Sequence, residues 1–172
     1  MWGRLMPNLE ISLFGPFAVH LDGEIVSHFE SVKCRALLAY LAAEAGRPQA
    51  RSKLAGLLWS NFPERSALRN LSQCLYSLRK TLKHPNCLEV DRQTLRLNPG
   101  PACQVDTLRL EQALAGFQCE GSSAVAGLQS AIDAARGPFL DGFTLDDNPE
   151  FETWVLYRRE YHDYKMIQTW SV

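Results

Sequence analysis

Arg69, Asn70, Gln73 and Ser77 stand at positions i, i+1, i+4 and i+8 of one segment, and Lys80 follows at i+11. On an α-helix all five project to one side. Arg, Asn and Gln distinguish base pairs through paired hydrogen bonds to base edges, and an α-helix fits the major groove of duplex DNA. The same segment carries leucines at 68, 71, 75, 78 and 82, in alternating steps of three and four. That spacing predicts an amphipathic helix over about 64–82, resting on a core through its leucines and turning the polar set outward. A polar helix face is also ordinary solvated surface, so the weight falls on what surrounds it.

Basic residues surround it. Lys33, Arg35, Arg51 and Lys53 lie at or near the starts of other helical segments, where side chains and backbone N–H groups together hold phosphates. Arg65 flanks the polar face, and Arg92 sits near the tip of an expected hairpin, within reach of adjacent phosphates or the minor groove. The expected division puts Arg69, Asn70, Gln73 and Ser77 on bases. Lys33, Arg35, Arg51, Lys53, Arg65, Lys80 and Arg92 fall to phosphates.

The elements that must position these residues are legible in the pattern. Leu9–Leu13 and Phe17–Leu21 alternate strictly about Gly15-Pro16, which predicts a short antiparallel strand pair, and Glu24–Val26 offers a third strand. A helix is expected from Cys34 to Ala45, stopped by Gly46 and Pro48, and another from Arg51 to Trp59. After the 64–82 helix, Leu88–Val90 and Leu95–Leu97 predict a hairpin. Asn98-Pro99-Gly100-Pro101 breaks the pattern and marks an expected boundary. Beyond it helices are expected over Val105–Phe117, Ser122–Arg136 and Pro149–Thr169. The last places Phe151, Trp154, Val155, Arg158, Tyr161 and Tyr164 largely on one side, and Trp59 and Trp154 are expected as core anchors.

The formal net charge of −1 on 172 residues would by itself argue against a nucleic-acid partner. It hides an asymmetry: residues 1–100 carry 13 basic and 8 acidic side chains, and residues 101–172 carry 5 and 11. The halves are therefore +5 and −6, a polyanion-binding half beside one of another purpose. At 46% hydrophobic and 22% charged, the chain is composed for a packed core. No apolar run is long enough to span a membrane, and the start, Met1 to Pro7, lacks the pattern of an export leader, so a cytoplasmic location is expected. The five cysteines form no C-x-x-C and have no histidine at zinc-ligand spacing, so reduced thiols filling the core are expected, without metal or cofactor. Phosphate-binding, nucleophile-elbow, zinc-protease and dinucleotide motifs are absent, and no enzyme is expected.

Several separated segments also carry a resemblance. Cys34–Ala42, Gly46-Arg47-Pro48, Leu54–Trp59 and Ala67–Leu75 with Leu78-Arg79-Lys80 resemble the N-terminal region of the Streptomyces antibiotic regulatory protein (SARP) family. That region is an OmpR/PhoB-type winged helix. Val105-Asp106, Gly137–Phe143, Trp154 and Arg158-Arg159 resemble the start of the family's bacterial transcriptional activator domain, a tetratricopeptide-like (TPR-like) helical module. Cys74 stands where the family usually has a small residue, often Ala, and the helical module is shorter than the family's.

The resemblance implies a mainly α fold with small antiparallel β elements. A winged helix-turn-helix over 1–100 would be followed by a truncated TPR-like helical domain over 101–172. It implies sequence-specific binding to double-stranded DNA, often at direct repeats occupied head to tail, with a homodimer on DNA and recruitment of RNA polymerase. It also places Arg69, Asn70, Gln73 and Ser77 by the bases. The competing expectation is a protein-interaction adaptor acting through the helical half without DNA.

Overall fold

A computed structural model describes residues 7–84 and 86–170. The start of the chain, on which the expectation of no export leader rests, falls outside the described residues from Met1 to Met6, as does Pro85 in the break after the long helix.

The alternating N-terminal segments pair as expected. β1 (Leu9–Ser12) lies antiparallel to β2 (Ala18–Leu21), with Leu9 opposite Leu21 and Ile11 opposite Val19. This register buries Leu9, Ile11 and Val19 on one face, as a period of two requires. β3 (Glu24–Ile25) extends the sheet beyond β2. Then come α1 (Val32–Ala43), β4 (Gln49–Ala50), α2 (Arg51–Leu58) and α3 (Glu64–Leu82). α1 begins two residues before the expected Cys34 because Ser31 caps it, its hydroxyl accepting from the Cys34 N–H at 3.2 Å. β5 (Leu88–Val90) and β6 (Thr94–Leu97) form the expected hairpin, the wing. β4 pairs with β6 and fastens the wing to the start of α2, a link too short to leave a sequence pattern.

β7 (Cys103–Val105) has no counterpart in the sequence pattern, and its last residue, Val105, is where a helix is expected to open. Instead it runs parallel to β1 and completes a sheet of order β3-β2-β1-β7. Cys103 and Val105 are buried and Gln104 is not, the alternation of a half-buried strand. The chain thus returns to the first sheet after the Asn98–Pro101 break. α4 (Asp106–Glu120) follows, then a 3₁₀ turn (Gly121–Ala124), α5 (Val125–Ala134) and α6 (Pro149–Trp170). The single helix expected over Ser122–Arg136 is split, because the Gly-Ser-Ser-Ala stretch favours the tighter turn. The architecture is mainly α with small antiparallel β elements, a winged helix-turn-helix carrying a helical extension.

One core serves both halves. Phe139, Leu140, Phe143, Leu145, Phe151 and Val155 belong to the same buried cluster as the leucines of α1, α2 and α3. A smaller cluster joins Phe14 to Leu110, Leu128 and Ala131. Backbone bonds clip the segment after α5 to the β1–β2 turn: Gly15 N–H to Pro138 C=O at 2.9 Å, Leu140 N–H to Leu13 C=O at 2.7 Å and Asp141 N–H to Gly15 C=O at 3.0 Å. Gly15 has φ +77°, which favours glycine, and a Cβ on Gly137 would stand a tight 3.3 Å from the Gly15 Cα, so small residues let the two segments cross closely. The Asp106 carboxylate accepts from the Leu13 and Phe14 N–H groups at 2.8 and 2.9 Å. Burial raises its pKa, and those same bonds oppose the rise.

α6 closes the assembly with Phe151, Val155, Arg158 and His162 buried, at steps of four, three and four. Trp154 joins them at the edge, tilted against Tyr40 and edge-on to Phe139, whereas Tyr164, expected on this face, is 59% exposed. Arg158 donates to the Ala43 carbonyl and pairs with Glu44 at 3.4 Å, a cation at the C-terminal end of α1 where helix carbonyls are free. Arg159 donates to the Phe139 and Leu140 carbonyls at 2.7 and 2.8 Å.

His162 sits among the rings of Phe14, Phe139 and Tyr161, and its Nε2 has no hydrogen-bond partner among the described residues. Burial, reinforced by Arg158, pushes its pKa down to about 4. The folded state therefore resists a proton that the unfolded chain takes up near pH 6.5. This contribution to stability is complete above that pH and is lost as pH falls toward 4. Its slope approaches about 1.4 kcal/mol per pH unit. His162→Phe keeps the ring stack and flattens this slope in urea unfolding followed from pH 7 to 4; equal acid sensitivity in the two proteins would contradict the assignment.

Candidate nucleic-acid interface

α3 has two clearly different faces. Ala67, Leu71, Cys74, Leu75, Leu78 and Leu82 are buried, with Leu68 packed at the edge of the core. Arg65, Arg69, Gln73, Tyr76 and Lys80 are exposed, and Asn70 and Ser77 are half-buried beside them. Pro63 precedes the helix and fixes its entry. Glu64 in the first turn and Arg79 and Lys80 in the last suit the helix dipole. Lys83 ends it in the left-handed region at φ +50°. The four residues expected on bases are thus brought together on one helix face.

The expected phosphate ligands are not equivalent. Arg65, Arg69 and Arg92 make no side-chain hydrogen bond or ion pair among the described residues, so their guanidinium groups are uncommitted. Lys80 lies over the Tyr76 ring at 5.2 Å and Lys53 over Tyr40 at 5.8 Å, contacts an exposed ammonium gives up at little cost. Lys33 is held over Trp59 and Phe62 at 5.7 and 5.4 Å. Burial lowers its pKa, and Asp147 partly restores it. Arg35 is stacked among Phe17, Phe143 and Phe29, at 5.5, 5.6 and 6.0 Å from the ring centres.

Arg51 has a role the sequence did not suggest. Its guanidinium donates to the Ser72 hydroxyl at 2.7 Å and to the Asp91 carbonyl at 3.2 Å. Ser72 is on α3 and Asp91 starts the wing turn, so one side chain from α2 ties the helix to the wing. The Arg51 N–H to Gln93 C=O bond, 2.8 Å, supports the same junction from the backbone. Only long-range contacts define this role, and no local pattern marks it. Arg92 stands exposed at the tip of the wing so anchored.

Asn70 and Gln73 also border a surface cleft of about 330 Å³ between α1 and α3. Glu30, Ser31, Lys33, Trp59, Phe62, Cys34 and Cys74 complete its wall. The sulfurs of Cys34 and Cys74 meet there, their Cα atoms 5.5 Å apart, a spacing that a disulfide spans, so these two cysteines are an adjacent pair and not isolated core thiols. The adjacency is one of topology: 40 residues separate them in sequence, and only the packing of α1 on α3 brings them together.

No helix among the described residues is long and apolar enough to cross a membrane. No family model and no curated protein matches the chain. Among solved structures it is similar to Mycobacterium tuberculosis EmbR in complex with a low-affinity phosphopeptide. The TM-score is 0.62 at 23% identity, over 93% of this chain and 44% of that one. The chain therefore spans less than half the length of that protein, and the likeness is one of fold.

Proposed function

We propose that the chain is a sequence-specific double-stranded DNA-binding transcriptional regulator, acting in the cytoplasm and not as an enzyme. α3 enters the major groove with Arg69, Asn70, Gln73 and Ser77 toward the bases. Arg65, Lys53 and Lys80 take flanking phosphates, and Arg92 on the wing takes a further one. Lys33 contributes from the cleft edge. Arg35 and Arg51 serve chiefly to position the elements that carry the others. The observation that carries this reading is the outer face of α3, where Arg69 and Gln73 are exposed and Arg69 is unpartnered while the opposite stripe is fully packed.

The helical half, residues 101–172, is read as the first part of a TPR-like activator module that contacts RNA polymerase, with two protomers side by side on direct repeats. Its acidic character suits protein contact better than DNA contact. One observation favours the adaptor reading instead: α6 exposes Leu156, Tyr157, Tyr164, Ile167 and Trp170, an apolar surface independent of α3. Stable capture of a protein partner with no salt-sensitive duplex binding would select it.

Selection of bound sites from random duplexes, then gel-shift titration, tests the DNA reading. The log–log salt slope is expected near −0.9 per phosphate contacted. Arg69→Ala is expected to cost about 1–3 kcal/mol of binding and to relax preference at one base pair, with little change in stability. Arg92→Ala weakens all sequences alike and reduces the salt slope by about one. Arg51→Ala differs from both: it also lowers folding stability, by about 0.5–1.5 kcal/mol, through loss of the Ser72 and Asp91 bonds. Unchanged binding in both the Arg69 and Arg92 variants would remove α3 and the wing from the interface.

A further inference from the structure

Cys34 and Cys74 connect the first turn of α1 to the middle of the helix on which the proposed function rests. Cys74 follows Gln73 directly and lies one turn beyond Asn70. Both sulfur-bearing residues are almost fully buried, yet both form part of the wall of the cleft shared with Lys33, Asn70 and Gln73. The remaining cysteines differ in having no second cysteine paired with them. Cys87 and Cys103 are buried, and burial pushes their thiols up to about 11 and 12; Cys119 is exposed on α4, without a described partner.

We propose that Cys34 and Cys74 form a reversible dithiol–disulfide site that reacts with low-molecular-weight disulfides through the cleft and sets how firmly α3 is held against α1. Cys34 is the attacking sulfur. It occupies the N-terminal turn of α1, the Ser31 hydroxyl donates to it at 3.4 Å, and Lys33 is its neighbour. Helix N–H groups and a hydroxyl donor favour a thiolate over a thiol. The Cys34 thiolate attacks one sulfur of the small disulfide, forming a mixed disulfide and releasing one small thiol. Cys74 then loses its proton and attacks the Cys34 sulfur, forming the internal bridge and releasing the second small thiol. Two protein thiols are oxidised and one small disulfide is reduced to two thiols, so atoms and electrons balance. An excess of small thiol runs both steps backwards.

The bridge fixes the turn of α3 that carries Asn70 and Gln73, so the oxidised chain presents a preorganised face. This consequence rests on the DNA reading; the chemistry of the pair does not. The full chain is equilibrated with glutathione disulfide or with reduced glutathione, then unfolded and alkylated. The expected count is three alkylated cysteines after oxidation, or two where the exposed Cys119 carries glutathione, and five after reduction, with a Cys34–Cys74 linked peptide by mass spectrometry. Five alkylated cysteines in both conditions, or a bridge involving any other cysteine, overturns the site. Duplex affinity is expected to be at least about threefold higher in the oxidised chain, with the difference abolished in Cys74→Ala. Equal affinity in both states, with the bridge present, overturns the coupling to α3. If no duplex binds in either state while the bridge still forms and reverses, the DNA reading fails and the thiol site stands. Cleavage-resistant packing of α1 on α3 in the oxidised chain, measured by limited proteolysis, then carries the mechanical claim, and identical digestion patterns would defeat it.

Discussion

The winged helix of this chain is completed from outside its own sequence segment. The span from Phe139 to Val155 supplies aromatic and aliphatic side chains to the core that α1, α2 and α3 begin, with Phe143 against Phe17 and Trp154 against Tyr40. Burial of this kind contributes roughly 1.5–3 kcal/mol for each large apolar side chain. Several such side chains amount to a large part of the stability of a small domain. The glycine crossing at Gly15 and Gly137 admits the segment, and the backbone bonds around Leu13 and Leu140 fix its register. Without that clip, the apolar floor beneath α1 would be open to water.

The clip explains why α6 reaches the elements of the winged helix although it stands far from them in sequence. Arg158 grips the C-terminal end of α1 through Ala43 and Glu44, and α1 carries Cys34, which meets Cys74 on α3. A chain of packed and bonded elements therefore runs from the helical half to the recognition face. It is a structural continuity, and two discrete arrangements of α1 on α3 would turn it into a means of control.

The elements legible in the sequence are those with strong local periodicity. α3 is found from Glu64 to Leu82 because its leucine stripe and its polar face reinforce one another over five turns. The β1–β2 pair and the wing follow from strict alternation around turn residues. What local pattern could not reveal depends on distant partners. β7 has three residues and acquires strand character only by pairing with β1, and β4 has two. The roles of Arg35 and Arg51 are set by rings and hydroxyls far along the chain, so a basic residue near a helix start looks like a phosphate ligand until its partners are known. His162 was passed over on α6 because histidine does not mark an apolar stripe, although its buried ring does the work expected of Tyr164.

The opposite charges of the two halves also acquire a spatial meaning. Asp147, in the loop before α6, lies close enough to Lys33 to oppose the effect of burial on its ammonium. The acidic half thus touches the edge of the basic one near the cleft and leaves the outer face of α3 and the wing tip uncovered. Non-specific attraction to DNA depends on the total field, whereas base reading depends on a few side chains at contact distance. An acidic half fixed behind the basic face weakens the first while leaving the second intact. Under the proposed function, rigid attachment keeps the acidic segment from competing with DNA for the exposed arginines of α3 and the wing, as a freely tethered segment would.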